Sequence, residues 1–486
     1  MKRRQFIKNL GAVGAAVTVV PNVAVSGLGH TPPSDKLNIA GIGIGGKGKV
    51  NLRNMVGQNV VALCDVDHDY AAPVFKQYPK AKKYKDFREM LEKQNDIDAV
   101  VIATPDHTHT TAAAAAMDRG KHVYLQKPLT HSVWESRYLT KLARQKGVVT
   151  QMGNEGHSND TVYEVAEVVQ SGCLGTIREA HVWTNRPIWR QGMAKPPEKV
   201  DVPKTLDWEL FIGPAKMRPY NPEYHPWIWR GWWDYGTGAL GDMGCHLLDV
   251  PNYALKLGAP KAFQASSSLV NTESAPVAEK VSFLFPARKN LPYVALPELE
   301  LTWYDGGFMP ARPFGLPNDA PMSPGGGFMF IGSKAILIAE AYGNNWKVYQ
   351  DGKEITPQTK VDLGRIPDDP QGGGRHEMHW VSCCKNGGTP ASNFDYSGPF
   401  NEFVVMGNLA VRMQSLQKTL EWDSENMRIT NVGANETLST TKLLPISDDI
   451  VTRRVERQSK QRVEWNALEK SKEWIKHTYH NGWSLG

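Results

Sequence analysis

A short apolar strand, Leu37–Ile42, runs directly into Gly41-Ile42-Gly43-Ile44-Gly45-Gly46 and then into a helical pattern. Few sequence features restrict a fold more tightly. Gly41, Gly43 and Gly46 hold the GxGxxG positions: a tight turn, a backbone that a pyrophosphate can approach, and close packing of helix on strand. The N–H groups at the start of the next helix face that site. Asp65 ends the second apolar strand, where an acid bonds ribose hydroxyls. This acid repels a 2′-phosphate and favours NAD. Lys47 and Lys49 lie close enough to keep NADP open.

The βαβ rhythm continues through Val60–Leu63, Ala99–Ala103, Val123–Leu125 and Val148–Met152, with helical patterns at Thr110–Arg119 and Val133–Lys146. Buried parallel strands with helices on both faces are expected. After about residue 155 the pattern changes. A helix over Thr161–Ser171 precedes strand Ile177–Thr184, a Pro/Trp-rich stretch covers 185–236, and a helix runs from Gly241 to Leu257 with Pro251 breaking or kinking it. Alternating strands follow at Ala262–Val270, Val281–Phe285, Leu299–Tyr304, Phe328–Ile331 and Ala335–Ile338, as in an antiparallel sheet with one solvated or ligand-facing side. Gly and Pro between 305 and 327 predict a long loop or lid, and helices return at His376–Cys384 and Pro399–Leu416. A chain of 486 residues exceeds what one hydrophobic core normally supports. The expectation is an α/β protein: a signal segment over 1–30, a Rossmann dinucleotide-binding domain over 36–155, and a C-terminal α/β domain over 156–486 with a large, mostly antiparallel open sheet, for substrate binding and oligomerisation.

The first thirty residues carry Lys2, Arg3, Arg4 and Lys8 without an acid, then an apolar run from Leu10 to Val25. That order of charged, apolar and small residues is an export signal, too short and too rich in Ala and Gly for a membrane anchor. Arg3-Arg4-Gln5-Phe6-Ile7-Lys8 resembles the twin-arginine signal, which implies export of an already folded protein to the periplasm. Folded export suits a protein that carries its cofactor along, tightly bound. Without the leader the formal charge falls from +6 to +2, because four of the 56 basic residues leave and all 50 acids remain. No basic stripe is left for nucleic acid. Five Cys without a CxxC exclude a disulfide framework and a thiolate zinc site. Cys383 and Cys384 read as ordinary helix residues.

Three further segments narrow the chemistry: Ala103-Thr104-Pro105-Asp106-His107-Thr108-His109, Gln126-Lys127-Pro128, and Gly241-Asp242-Met243-Gly244-Cys245-His246. Their order and spacing over residues 36–420 resemble the Gfo/Idh/MocA family of sugar and polyol oxidoreductases, and most of all its exported members acting on sugars and glycosides. The resemblance implies Lys127, Asp242 and His246 as catalytic. It also marks a departure: Gln126 stands where the family usually has Glu. The residue types agree with the implied chemistry. His titrates near neutrality and suits removal of a hydroxyl proton. Asp242 lies one helical turn before His246. Lys127 offers charge to a developing alkoxide.

Gly41, Gly43, Gly45, Gly46, Asp65, Thr104, Pro105, His109, Gln126 and Lys127 are the expected cofactor contacts. No metal is expected, since the Asp/Thr setting of His107 and His109 also explains a loop capping the next helix. Asn154 and His157, at the end of the last Rossmann strand, are candidate sugar contacts. Seven of the fifteen Trp fall between Trp183 and Trp233, and indoles stack on CH-rich ligands. The segment Tyr224–Tyr235 interleaves such rings with His225, Arg230 and Asp234. Trp229, Arg230 and Tyr235 are therefore added to Asp242 and His246 as substrate residues. Arg375-His376-Glu377 is a further candidate to reach the site.

The expected activity is hydride transfer between a sugar or glycoside hydroxyl, with C3 and a 3-keto-glycoside as the favoured case, and tightly bound NAD or NADP. A second sugar or redox partner regenerates the cofactor, and a homo-oligomer covers the open sheet. Two alternatives stay open: an NAD-dependent, redox-assisted glycoside hydrolase, and a non-catalytic sugar- or nucleotide-binding protein.

Overall fold

Four-residue apolar runs such as Ala99-Val100-Val101-Ile102 leave no polar face, so the strands that carry them must be covered on both sides. The computed structural model describes residues 36–196, 199–443 and 460–485, and arranges those runs accordingly. The leader, and residues 31–35 after it, lie outside the described residues. Asn38–Gly486 forms one unit, which holds both sheets and the candidate site. Strands β1 (Asn38–Ile42), β2 (Asn59–Cys64), β3 (Lys82–Tyr84), β4 (Ala99–Ile102), β5 (His122–Leu125) and β6 (Thr150–Met152) form a parallel sheet in the order β3-β2-β1-β4-β5-β6. The order reverses between β1 and β4, and ligands bind at such a switch point, beyond the strands' carboxyl ends.

A second sheet has ten strands: β7 (Ile177–Thr184), β8 (Ala262–Ser267), β9 (Glu279–Phe285), β10 (Leu299–Tyr304), β11 (Gly326–Gly332), β12 (Ile336–Glu340), β13 (Lys347–Gln350), β14 (Lys353–Ile355), β15 (Leu420–Asp423) and β16 (Arg428–Ile429). Their order is β14-β13-β12-β11-β7-β10-β9-β8-β15-β16. Only β7 and β10 pair in parallel. Ala180, Val182, Phe328, Phe330, Leu337 and Ala339 turn to the main core, where helix Gly238–Leu247 and helix Phe394–Met413 also pack. Trp183, Met329, Ile336 and Ile338 point the other way. A two-stranded ribbon, β17 (Thr437–Leu443) with β18 (Lys460–Asn466), completes the sheet structure among the described residues.

Several expectations are corrected. The 241–257 pattern is two helices, Gly238–Leu247 and Asp249–Leu255, meeting at Leu248. Pro251 sits in the first turn of the second, where its missing N–H breaks no helical bond. The last long helix starts at Phe394, with the Asn393 side chain accepting from Asp395 N, and Pro399 lies inside it. The 305–325 stretch is indeed a long connection, but Leu316 and Ala320 are buried on the Trp183 face of the sheet, opposite the core in which helix Gly238–Leu247 packs. Cys383 and Cys384 are unpaired helix residues, as expected.

Candidate active site

At the switch point the glycine loop and the end of β4 touch. Gly43 has φ +74, and a Cβ there would lie 2.7 Å from the backbone of Ala103 and Thr104. Only glycine fits both the left-handed backbone and the contact. Asp65 follows β2 and accepts from Gly45 N at 2.9 Å and Asp67 N at 3.0 Å. Burial raises its carboxyl to about 6, partly offset by those two bonds. Across the loop, the Thr104 hydroxyl is buried without a partner. A loop held open by glycine, an acid at the end of β2 and an orphaned hydroxyl at the end of β4 fit a dinucleotide. Tyr70 lies over Gly45, leaving no room for a Cβ.

The catalytic candidates converge from three elements. Lys127, two residues past β5, extends its Nζ to the Asp242 carboxylate at 2.9 Å and to the Asp242 carbonyl at 3.0 Å. Arg230 places Nε 3.2 Å from the same Asp242 Oδ1. Its guanidinium lies 4.0 Å and 4.3 Å from the ring centres of Trp227 and Trp229, a cation held between two indoles. Burial alone would raise the Asp242 carboxyl, but Lys127 and Arg230 outweigh it and hold it at about 2. His246, one turn on, is half-buried. Desolvation and then the Lys127 charge hold it at about 3, so the imidazole is neutral. Its Nδ1 is buried without a hydrogen-bond partner. The helix carrying both residues is anchored by Asp106, whose Oδ2 accepts from the Thr237 backbone at 3.0 Å and the Thr237 hydroxyl at 2.7 Å. Burial raises Asp106 to about 7.

Gln126 lies in a network that explains its identity. Its Nε2 donates to Asn51 Oδ1 at 3.0 Å, while Asn51 Nδ2 donates to Glu155 at 3.0 Å and Glu377 at 2.9 Å. Glu155 also pairs with Lys47 at 2.7 Å. Two carboxylates already surround Asn51, and a third at 126 would face acceptors with acceptors. Glu377 thus reaches the helix that follows the glycine loop, while His376 is buried between Ser158 and the Met152 carbonyl.

Other expected contacts are structural. His109 is buried, its two ring nitrogens at 2.8 Å from the Pro128 carbonyl and 2.9 Å from that of Thr104, so it ties the β4 and β5 loops together and offers nothing to a cofactor. Pro105 follows Thr104 and accepts the Thr108 hydroxyl on its carbonyl. His107 bonds the carbonyls of Phe211 and Ile212, so the DHTH segment does not cap the next helix. Among the described residues no group of His, Cys, Asp and Glu is arranged to hold a metal.

His157 is 2% exposed, bonded to Asp249 at 2.8 Å and enclosed by Tyr163, Tyr253 and Tyr396, so it is closed to substrate. Asn154 is buried as well. It accepts from Ser392 at 2.6 Å and leaves its amide nitrogen unpartnered. Tyr235 is wholly buried and is no substrate contact. With Trp208, Phe211, Tyr220, Tyr224, Trp229 and Trp232 it builds a small core of its own. Most of the segment's aromatics are buried because the chain is irregular here, with one short 3₁₀ turn at Ile228–Gly231, while Trp227 stays 47% exposed. From this segment Arg230 reaches Asp242, with the Trp227 and Trp229 rings against its guanidinium.

Residues 37–154 match the family described as "Oxidoreductase family, NAD-binding Rossmann fold", and residues 158–273 its C-terminal alpha/beta domain. Both stretches match the Gfo/Idh/MocA oxidoreductases. Similar proteins include the levoglucosan dehydrogenase of Pseudarthrobacter phenanthrenivorans, 24% identical over 191 residues, or 39% of this chain and 41% of the relative. The NAD(+)-dependent scyllo-inositol 2-dehydrogenase of Bacillus subtilis is 27% identical over 164 residues, 33% and 45% of the two chains. The aligned stretches span less than half of each relative. The fold recurs in the aldose-aldose oxidoreductase of Caulobacter crescentus, with TM-score 0.52, 16% identity, and 79% and 99% of the chains covered. It recurs in the WlbA dehydrogenase of Bordetella pertussis, solved with NADH and UDP-GlcNAcA, with TM-score 0.53, 15% identity, and 80% and 99% covered. Sequence reasoning missed Tyr70, Asn51 and Tyr342, which lie at the site without belonging to any motif.

Proposed function

We propose that this chain transfers hydride between the hydroxyl-bearing carbon of a sugar or glycoside and a tightly held NAD. The observation that carries the reading is the meeting of Lys127, Asp242, Arg230 and His246 beside the glycine loop. Bound NAD supplies the hydride acceptor. Lys127 and Arg230 present positive charge, and one carboxylate between them leaves the group cationic. That field stabilises an oxygen as it gains negative charge. His246 stays uncharged and offers its accessible Nε2 to the hydroxyl proton, which requires the ring's own proton on Nδ1. Asp242 holds the Lys127 ammonium in place, so the oxygen meets a fixed partner and not a mobile one. The names of the relatives, a levoglucosan and an inositol dehydrogenase, support a cyclic polyol or sugar as substrate.

The reading includes export to the periplasm, supported by Arg3-Arg4 and the apolar run behind it, and oxidation at C3. A homo-oligomer, and a second sugar or redox partner to regenerate NAD, belong to the same proposal. The test is product analysis. The purified protein is incubated with a methyl glycoside and NAD, and products are identified by NMR. A keto-glycoside formed in step with NADH is expected. Free sugar without net NADH would transfer the site to redox-assisted hydrolysis, and an unchanged glycoside would refute catalysis.

A further inference from the structure

The turn Ala341-Tyr342-Gly343 joins β12 to β13, and Tyr342 sits in it with φ 63 and ψ 15. A bulky residue is rarely found in this left-handed conformation, and such outliers gather where surroundings enforce them. The surroundings do so here. The Thr161 hydroxyl donates to the Tyr342 carbonyl at 2.8 Å, pinning the turn to helix Asp160–Gln170. The ring then crosses Gly156, where a Cβ would lie 2.2 Å from ring Cδ1. It ends edge-on to the His246 imidazole, with centroids 5.4 Å apart and planes at 78°. Two positions on distant elements are thus adapted to bring one ring to one histidine.

That histidine needs holding. A base is normally oriented by a hydrogen bond to its second ring nitrogen, yet His246 Nδ1 has no partner. We propose that Tyr342 is a positioning residue that sets the orientation of the His246 ring by edge-to-face packing in place of that hydrogen bond. The proposal rests on the reading of His246 as the base. The charged groups that face His246 are Lys127, Asp242, Lys47 and Arg186, and Tyr342 closes the remaining side.

The test compares Tyr342→Phe with Tyr342→Asn in the full chain. Phe keeps the ring, whereas Asn tolerates the left-handed backbone and removes it. Phe is expected to keep kcat within about threefold, and Asn to lower kcat by about a hundredfold, the scale of a misplaced group, with little change in KM. A second readout needs no turnover. The His246 imidazole is followed by ¹⁵N NMR, identified by its loss in His246→Ala, and titrated with acid. In the wild type and Tyr342→Phe it stays neutral below pH 5. In Tyr342→Asn, solvent reaches the ring and its titration moves up toward that of an ordinary histidine. If the wild type proves inactive on glycosides, the functional reading falls while the NMR comparison still decides the role of Tyr342. Unchanged His246 signals in Tyr342→Asn, or an equal loss of kcat in Phe and Asn, would overturn the proposal.

Discussion

Replacing Asp242 by Asn removes one charge and almost no volume. The structure gives the size of the effect. Folding lowers this carboxyl from 3.8 to about 2, because Lys127 and Arg230 share its Oδ1 in a site where the three side chains are 14%, 18% and 14% exposed. At about 1.4 kcal/mol for each tenfold change in proton affinity, that difference stabilises the native state by about 2 kcal/mol at pH 7. A carboxyl whose pKa falls on folding binds fewer protons in the native state. Its contribution is therefore complete above its unfolded value near pH 4 and is lost as pH falls toward 2. Roughly half of it remains at pH 3. In Asp242→Asn the two cations also face each other uncompensated, so a loss on the order of 3 kcal/mol is expected at neutral pH. Urea unfolding of wild type and variant at pH 7 and pH 3 measures both terms. The gap should roughly halve at the lower pH, and adding Lys127→Met should recover part of it at pH 7. A gap that does not depend on pH, or a double variant no more stable than Asp242→Asn, would refute the electrostatic account of this site.

Gln126→Glu should cost on the order of 2 kcal/mol at pH 8, because a third carboxylate meets Asn51 beside Glu155 and Glu377, and less at pH 5, where it protonates. Equal melting shifts at the two pH values would contradict this. Tyr235→Phe removes a hydroxyl that is buried without a partner. Stability should hold or rise by up to about 1 kcal/mol and KM for the glycoside should not move; a higher KM would return Tyr235 to the substrate. Glu279 and Asp305 are buried at the paired ends of β9 and β10 and share a hydrogen bond; burial raises both, and the Asp305 charge and hydrogen bond raise Glu279 further, while its bonds partly offset the rise in Asp305. Raised carboxyls stabilise the fold below their unfolded values and lose that contribution as pH rises. Wild type should lose on the order of 2 kcal/mol between about pH 5 and 8, and Glu279→Gln should flatten the profile. Parallel denaturation profiles would refute the shared proton.

The Rossmann half was legible because its signals are local. Apolar runs with no polar face, such as Ala99–Ile102, admit few alternatives, and the glycine spacing begins at the end of another short apolar strand. Strand β3 was not legible, since Lys82 and Lys83 are exposed on an edge and carry no apolar pattern. Strands β13 to β18 are short or half-solvated for the same reason. At the site, the motifs brought forward Lys127, Asp242 and His246, and Arg230 followed from its aromatic neighbours. His109 and His157 were misplaced because a histidine that binds a carbonyl or carboxylate inside the core reads the same in sequence as one that faces a ligand. Tyr342 was invisible: its role depends on a left-handed turn and on a glycine far away in the chain.

The central claim is that Lys127, Asp242 and His246 promote oxidation of an alcohol group of a sugar, the carbon-bound hydrogen passing to NAD as hydride while the hydroxyl proton passes to His246. The most direct measurement is the reduced-nicotinamide absorbance of the NAD-loaded protein on addition of a glycoside, for wild type and His246→Ala side by side. The account predicts a rise in the wild type that is slowed by about a hundredfold or more in His246→Ala while NAD binding is retained. Equal rates in the two proteins, or no rise in the wild type with any sugar or glycoside while NAD is bound, would contradict it.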